Sequence, residues 1–268
     1  MEKLKLYGFN NLTKTLSFNI YDVCYTRTKA ERKAYIEYID DQYNSDRLTN
    51  ILLDVAKIID ANVLNIAKQD YDPLGASVTI MISEDKVSDD QIDPSCNMGH
   101  IPCRKESVVT HLDKSHLTVH TYPETHPDQP ISTFRVDIDV STCGKISPNK
   151  ALNYLIHSFD SDVIIMDYRV RGFTRDIDGN KHFRDHDMHS IQDYIEEDTL
   201  KHYTAIDMNL DHSNIYHTKM MLNQYNLDNY LFNVSSNDLK ENEKLKIYAE
   251  INKEIAEIFY GMNIPKMK

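Results

Sequence analysis

Apolar residues recur along this chain at two different spacings, and the changes between them mark out its elements. In residues 3–9, KLKLYGF, Leu4 and Leu6 alternate with polar neighbours and predict a short strand ended by Gly8 and Asn10-Asn11. Between Lys29 and Tyr43 the residues Ala30, Ala34, Tyr35, Tyr38, Ile39 and Tyr43 mostly keep helical spacing, which predicts an amphipathic helix. A second helix is expected over 46–60, where Leu48, Ile51, Leu52, Val55, Ile58 and Ile59 form one wide apolar face and Asp46 is the candidate N-cap.

Residues 62–70 have the length of a strand. Asp72-Pro73 and Gly75 then turn the chain into ASVTIMIS, whose β-branched residues predict its hairpin partner. Residues 84–105 are polar and rich in breakers, as in a long surface loop. β character returns from Ser107 to Tyr122, and again over 131–140, where Ser132, Phe134, Val136, Ile138 and Val140 make the more apolar face. Ser147 and Pro148 signal the start of a helix carrying Ala151, Leu152, Leu155 and Ile156, and DVIIMDYRVRGF predicts a buried strand. Beyond it, residues 190–201, 217–225 and 238–260 read as helical. Strands and helices interleave without a glycine-rich phosphate loop or a fixed-period repeat. The expected fold class is α+β, an antiparallel β-sheet covered by helices.

Composition narrows the function. The 268 residues, 41% hydrophobic and 27% charged with 7 Gly and 8 Pro, belong to the ordinary globular class and can bury a full core. A formal net charge of −12 argues against a nucleic-acid partner, whose phosphates need clustered Lys and Arg, and favours a cationic ligand. No apolar run approaches the roughly 18 residues that span a bilayer, and residues 1–12 lack the apolar core of a signal peptide. The expectation is a cytoplasmic protein with no membrane partner, whose Cys24, Cys96, Cys103 and Cys143 remain thiols.

Four clusters bear chemistry. Cys96, His100 and Cys103 could hold a soft metal but lack a fourth ligand at zinc-site spacing. His182, Asp185, His186, Asp187 and His189 are metal-capable donors that equally describe a solvated face. Asp113, Ser115 and His120 have the residue types of a hydrolase triad without the glycines of a nucleophile elbow. In the fourth, residues 111–127, HLDKSHLTVHTYPETHP, strand periodicity puts His116, Thr118, His120 and Tyr122 on one face and Leu117, Val119 and Thr121 on the other.

The run from Lys114 to Glu124, KSHLTVHTYPE, followed by Ser141-Thr142-Cys143-Gly144, resembles the processing and active-site signature of the S-adenosylmethionine decarboxylase proenzymes. The likeness extends through KLYGFNNLTKTLSF, NIAKQDY, GASVTI, DYRVRGFTRDI and HTKMML, covers essentially the whole chain, and points to the longer bacterial form. It implies an α/β sandwich of that family's type, a single domain over 1–268, self-cleaved between Lys114 and Ser115 into chains 1–114 and 115–268. The resemblance makes Ser115 the source of a covalent pyruvoyl cofactor, which binds the substrate's amino group as a Schiff base and takes up electrons as carbon dioxide leaves. It makes His120 the processing histidine and Cys143 the proton donor, a role that suits an ordinary thiol at neutral pH.

Ser107 falls where shorter members carry an assisting hydroxyl, and Glu124 could meet the positive charge of S-adenosylmethionine. The implied activity supplies the aminopropyl donor for spermidine synthesis. Magnesium as activator and association of several chain pairs are further implications, with no ligand set singled out. Decarboxylation of ornithine or arginine, or an unprocessed regulatory homologue, are the alternatives. Because Ser115 and His120 are five residues apart, strict strand geometry separates them, so a bend is expected at the Lys114-Ser115 link.

Overall fold

The structure is a computed structural model that describes residues 5–7, 10–84 and 115–265. Its first strand, β1 (Thr13–Tyr25), alternates Leu16, Phe18 and Ile20 with Thr15, Ser17 and Asn19, and is followed by α1 (Lys29–Gln42) and α2 (Ser45–Ile58). Thr28 and Glu31 close a capping box on α1, while Asn44, rather than the expected Asp46, caps α2 by accepting from the Arg47 amide. Asp46 lies one residue inside the helix, where its charge faces the positive end of the helix dipole.

The hairpin β2 (Asn62–Asp70) and β3 (Ala76–Ser83) leads on to β4 (Ser115–Thr125) and β5 (Ile131–Cys143). Pro148–Ala151 then forms a 3₁₀ turn ahead of α3 (Leu152–His157), and Ser147 makes no side-chain cap. The strand β6 (Val163–Arg171) alternates buried and exposed residues, so it is covered less fully than DVIIMDYRVRGF suggests. Two short strands, β7 (Thr174–Arg175) and β8 (Lys181–His182), pair with each other before α4 (Glu197–Lys201), β9 (Tyr203–Asp207), β10 (Ile215–Leu222) and α5 (Glu241–Tyr260).

Eight strands form one antiparallel sheet in the order β2-β3-β4-β5-β1-β6-β10-β9. β1 sits inside it, paired along its length with β5 and over most of it with β6. Even-numbered residues of β1 and β5, such as Leu16, Phe18, Val136 and Ile138, join Leu48, Leu52, Val55, Leu152 and Leu155 in the main core under α1, α2 and α3. Among the described residues, the opposite face is covered at one end only. There Ile247, Ile251, Ile255 and Phe259 of α5 pack on Val23, Tyr25 and Val163. Among the described residues, the rest of that face is open and polar, with Asn19 donating to Asp137 at 2.6 Å and Arg135 pairing with Asp137 at 3.0 Å.

Three expectations change. Residues 217–225 do not form a helix: most of that span belongs to β10, whose buried Tyr216, Thr218 and Met220 follow strand spacing between β6 and β9. The predicted strand at 3–9 reduces, in its described part, to a bridge between Leu6 and Asp176. The expected helix over 190–201 is a 3₁₀ turn, Ile191–Tyr194, followed by α4. Among the described residues no helix is long and apolar enough to cross a membrane.

Candidate active site

Three strand ends meet where β4 begins. Thr13 opens β1, Cys143 closes β5 and lies directly opposite Thr13, and Ser115 is the first residue of β4, opposite Ile82 of β3. The Cys143 amide donates to Ser115 Oγ at 3.0 Å, and the Cys143 thiol lies 3.9 Å from Thr13 Oγ1. Cys143 is exposed and Ser115 half-buried, so both sit at the rim of the sheet and within reach of solvent.

The chain turns just after Cys143. Gly144 has φ +70° and donates its amide to the Leu12 carbonyl at 3.1 Å, and an added Cβ would collide with the Glu84 carboxylate. Glu84 also accepts from the Lys145 amide at 3.2 Å. Asn10 grips the same turn from behind, donating to the Gly144 carbonyl at 3.1 Å while its own oxygen takes the Leu12 amide at 3.0 Å.

The remaining sequence candidates lie apart. His120 pairs with Asp137 on β5 and Ser77 on β3, and the register from Ser115 to His120 is unbroken. Five residues of extended chain separate the two by ~17 Å. Leu117, Val119 and Thr121 face the helices, whereas His120 faces the open side and stacks with Tyr122 at 6.4 Å between ring centroids. No bend brings His120 back toward Ser115 within the described part of β4. Glu124, opposite Thr133, is exposed and nine residues along the strand, or ~30 Å from Ser115. Lys114, Ser107, Asp113, Cys96, His100 and Cys103 lie outside the described residues, while Cys24 and Cys143 are free thiols.

The His and Asp cluster is tied up in hydrogen bonds and ion pairs, some of them to distant segments. His182 pairs with Asp176 at 2.8 Å, and Asp185 Oδ2 accepts from Lys14 Nζ at 2.7 Å and from Asn10 Nδ2 at 2.6 Å. The other oxygen of Asp185 meets His186 Nδ1 at 2.8 Å, and His186 Nε2 meets the Tyr168 hydroxyl at 3.1 Å. Burial opposes ionisation of Asp185, but His186, Lys14 and Asn10 outweigh it and hold the carboxyl far below its ordinary range. Among the described residues no three His, Cys, Asp or Glu side chains form a group able to hold a metal ion, so the magnesium expectation has no ligand set there.

Sequence reasoning missed Asn10, Lys14 and Asp22, and it missed β1 altogether, although the alternation in TLSFNIYDV was available as a signal. Asp22 lines a cavity of about 1310 Å³ near the far end of β1, together with Tyr35, Tyr43, Asp160, Asp162 and Tyr230. Nine residues of strand separate it from Thr13, or ~30 Å, so this large cavity is not where Ser115 and Cys143 meet. Burial raises the Asp162 carboxyl to about 6, with Asp160 adding to the rise, against hydrogen bonds from Tyr230 and the Val23 amide.

The family model for S-adenosylmethionine decarboxylase matches residues 37–172, a stretch that contains Ser115, His120 and Cys143. The chain is 64% identical over 264 residues to an S-adenosylmethionine decarboxylase proenzyme of Clostridium botulinum (strain Eklund 17B / Type B), covering 98% of this chain and 97% of that one. It is 62% identical over 265 residues to the proenzyme of the same name from Halorhodospira halophila, with 98% and 96% covered. A crystal structure of the adenosylmethionine decarboxylase from Aquifex aeolicus aligns with a TM-score of 0.32 at 16% identity, over 60% of this chain and 90% of that one. Identity above 60% along nearly the full length places the chain in the S-adenosylmethionine decarboxylase family.

Proposed function

We propose that this chain cleaves itself between Lys114 and Ser115 and then decarboxylates S-adenosylmethionine, releasing carbon dioxide and the aminopropyl donor used for spermidine. The observation that carries the reading is the 3.0 Å bond between the Cys143 amide and Ser115 Oγ, which joins the cleavage serine to the proposed proton donor across two strands.

In the first step the Ser115 hydroxyl attacks the Lys114 carbonyl, and an ester replaces the amide. A hydroxyl held in place lowers the entropic part of that barrier, and the Cys143 amide fixes Ser115 Oγ before the reaction begins. Loss of the Ser115 α-proton expels the Lys114 carboxylate and leaves dehydroalanine, which hydrolyses to a pyruvoyl group and ammonia. The position fits such a group: Ser115 heads its strand at the sheet rim, half-buried, beside a free thiol. When present it supplies an electron sink for loss of carbon dioxide. Cys143 then gives a proton to the substrate carbon that lost its carboxylate.

His120 takes part in cleavage from a second copy of the chain. Within one chain it lies on the wrong face and ~17 Å away. The open face of the sheet, with His120, Asp137 and Arg135, is the surface on which a second copy brings an imidazole to the partner's Ser115. Glu124 would meet the substrate's positive charge only from across the same interface. The setting is the cytoplasm, where Cys24 and Cys143 stay reduced.

The test joins two measurements on purified protein. Intact mass should give fragments of 114 and 154 residues, and carbon dioxide should be released from carboxyl-labelled S-adenosylmethionine and not from ornithine or arginine. An unbroken chain of 268 residues would overturn the processing step, and release from another amino acid alone would overturn the substrate.

A further inference from the structure

Lys14 is the feature that the chemistry so far leaves unexplained. It points from β1 into the helix-covered side of the sheet and is 2% exposed, and a buried cation is costly unless paired. Its partner is Asp185, 14% exposed, from the segment after β8. That carboxylate does more than neutralise Lys14. The oxygen that accepts from Lys14 also accepts from Asn10 Nδ2, and Asn10 Nδ2 is the group that donates to the Gly144 carbonyl. One amide nitrogen, with two hydrogens, is thus shared between Asp185 and the turn that carries Cys143.

The geometry points to Asp185 as a positioning residue for the Cys143-Gly144 turn, acting through Asn10. Asn10 can aim at the Gly144 carbonyl only if its amide group is fixed, and two contacts fix it: the Leu12 amide on its oxygen and Asp185 on its nitrogen. A charged acceptor makes the second the stronger hold. Asp185 is anchored in turn by Lys14 on one oxygen and His186 on the other, and His186 leans on Tyr168, a fully buried residue of β6. The chain of contacts ends at the amide that holds Ser115 Oγ. In this way a residue more than forty positions beyond Cys143 sets where Ser115 and Cys143 stand. The functional consequence rests on the reading that this turn belongs to the self-cleavage site.

The test must separate positioning from simple loss of fold, because Asp185→Ala alone strands a buried Lys14. The comparison is therefore made with Lys14→Met in every chain, so that no buried cation is stranded: Lys14→Met alone, with Asp185→Ala, and with Asp185→Asn, whose side-chain oxygen still accepts from Asn10. Two quantities are followed under conditions where all three are fully folded: hydrogen exchange at the Gly144 amide, which is bonded to Leu12, and the first-order rate of self-cleavage. Leu52→Ala, which opens a cavity at a fully buried position of α2, serves as the destabilised control.

The expected result is that Asp185→Ala raises Gly144 exchange and slows cleavage, each at least ~10-fold, the loss of about one charge-assisted hydrogen bond. Asp185→Asn should restore both to within a few-fold of Lys14→Met alone, and Leu52→Ala should lower the melting temperature with the cleavage rate unchanged. Unchanged Gly144 exchange in the Asp185→Ala chain overturns the positioning role. Faster exchange with an unchanged cleavage rate overturns its connection to the reaction. If the wild-type chain does not cleave while the exchange result holds, the positioning stands and the reading of the site as a processing centre falls instead.

Discussion

Cys143 donates its backbone amide to the hydroxyl of Ser115, so the two residues meet through the main chain of one and the side chain of the other. The bond leaves the Cys143 thiol out of the contact, free for a separate task. It also means that the serine is held by a group that no substitution at position 143 other than proline removes.

Ser115→Ala should therefore leave the fold almost untouched, costing no more than about 1 kcal/mol for one hydrogen bond at a half-buried position. Self-cleavage should stop, since no hydroxyl remains to form the ester. Intact mass after prolonged incubation checks this, and any appearance of the 114-residue fragment would refute the assignment.

Cys143→Ala keeps the amide and should still cleave. Turnover should then fail early, because protonation in the wrong place leaves alanine at the new N-terminus of the 154-residue chain. Mass analysis of that terminus after exposure to S-adenosylmethionine reads the outcome directly, and sustained turnover with an unaltered terminus removes Cys143 from the mechanism.

If His120 acts across an interface, two chains that each fail alone should repair one another. Ser115→Ala and His120→Ala proteins, produced together, should yield cleaved material only from the His120→Ala chain, which still carries the serine and borrows its histidine. A mass tag on one of the two identifies which chain is cut. Cleavage by His120→Ala alone at the normal rate would show that the imidazole is not needed.

Acid stability should pass through a maximum. The folded state raises Asp162 from 3.8 to about 6 by burying it, so folding is favoured by proton uptake there: that contribution is complete below 3.8 and lost as pH rises through 6. Asp185 is held far below 3.8, so its contribution is present above 3.8 and lost as pH falls further. Melting temperature followed against pH should decline between about 4 and 6, and Asp162→Asn should flatten that decline. A wild-type curve that rises through this interval, unaltered in the variant, would contradict the buried state of Asp162.

Most of the sheet was legible because its strands are half-buried and keep strict alternation, as in Phe134, Val136, Ile138 and Val140. The main omission, β1, was hidden by its length and its polar outer face, which reads Thr15, Ser17 and Asn19. The segment 217–225 misled because Met220, Met221 and Leu222 are adjacent apolar residues, and only pairing with both neighbours decides for a strand. At the site, Ser115 and Cys143 could be singled out by motif, but their contact depends on how β4 and β5 end together. Asn10, Lys14 and Asp185 have no local signature, since their significance arises only when distant segments bury one charge against another.

The placing of β1 between β5 and β6 gives the proposed cut an unusual outcome. Opening the chain before Ser115 assigns β1, β2 and β3 to one polypeptide and β4 to β10 to the other, yet β1 remains laced through the middle of its partner's sheet. The two products cannot drift apart without unzipping both edges of a thirteen-residue strand. Maturation is thus a nick in a single folding unit, and what is lost is the route back. Once denatured, the cut protein must find its own missing strand by collision, so its refolding should depend on concentration where that of the uncut Ser115→Ala chain does not.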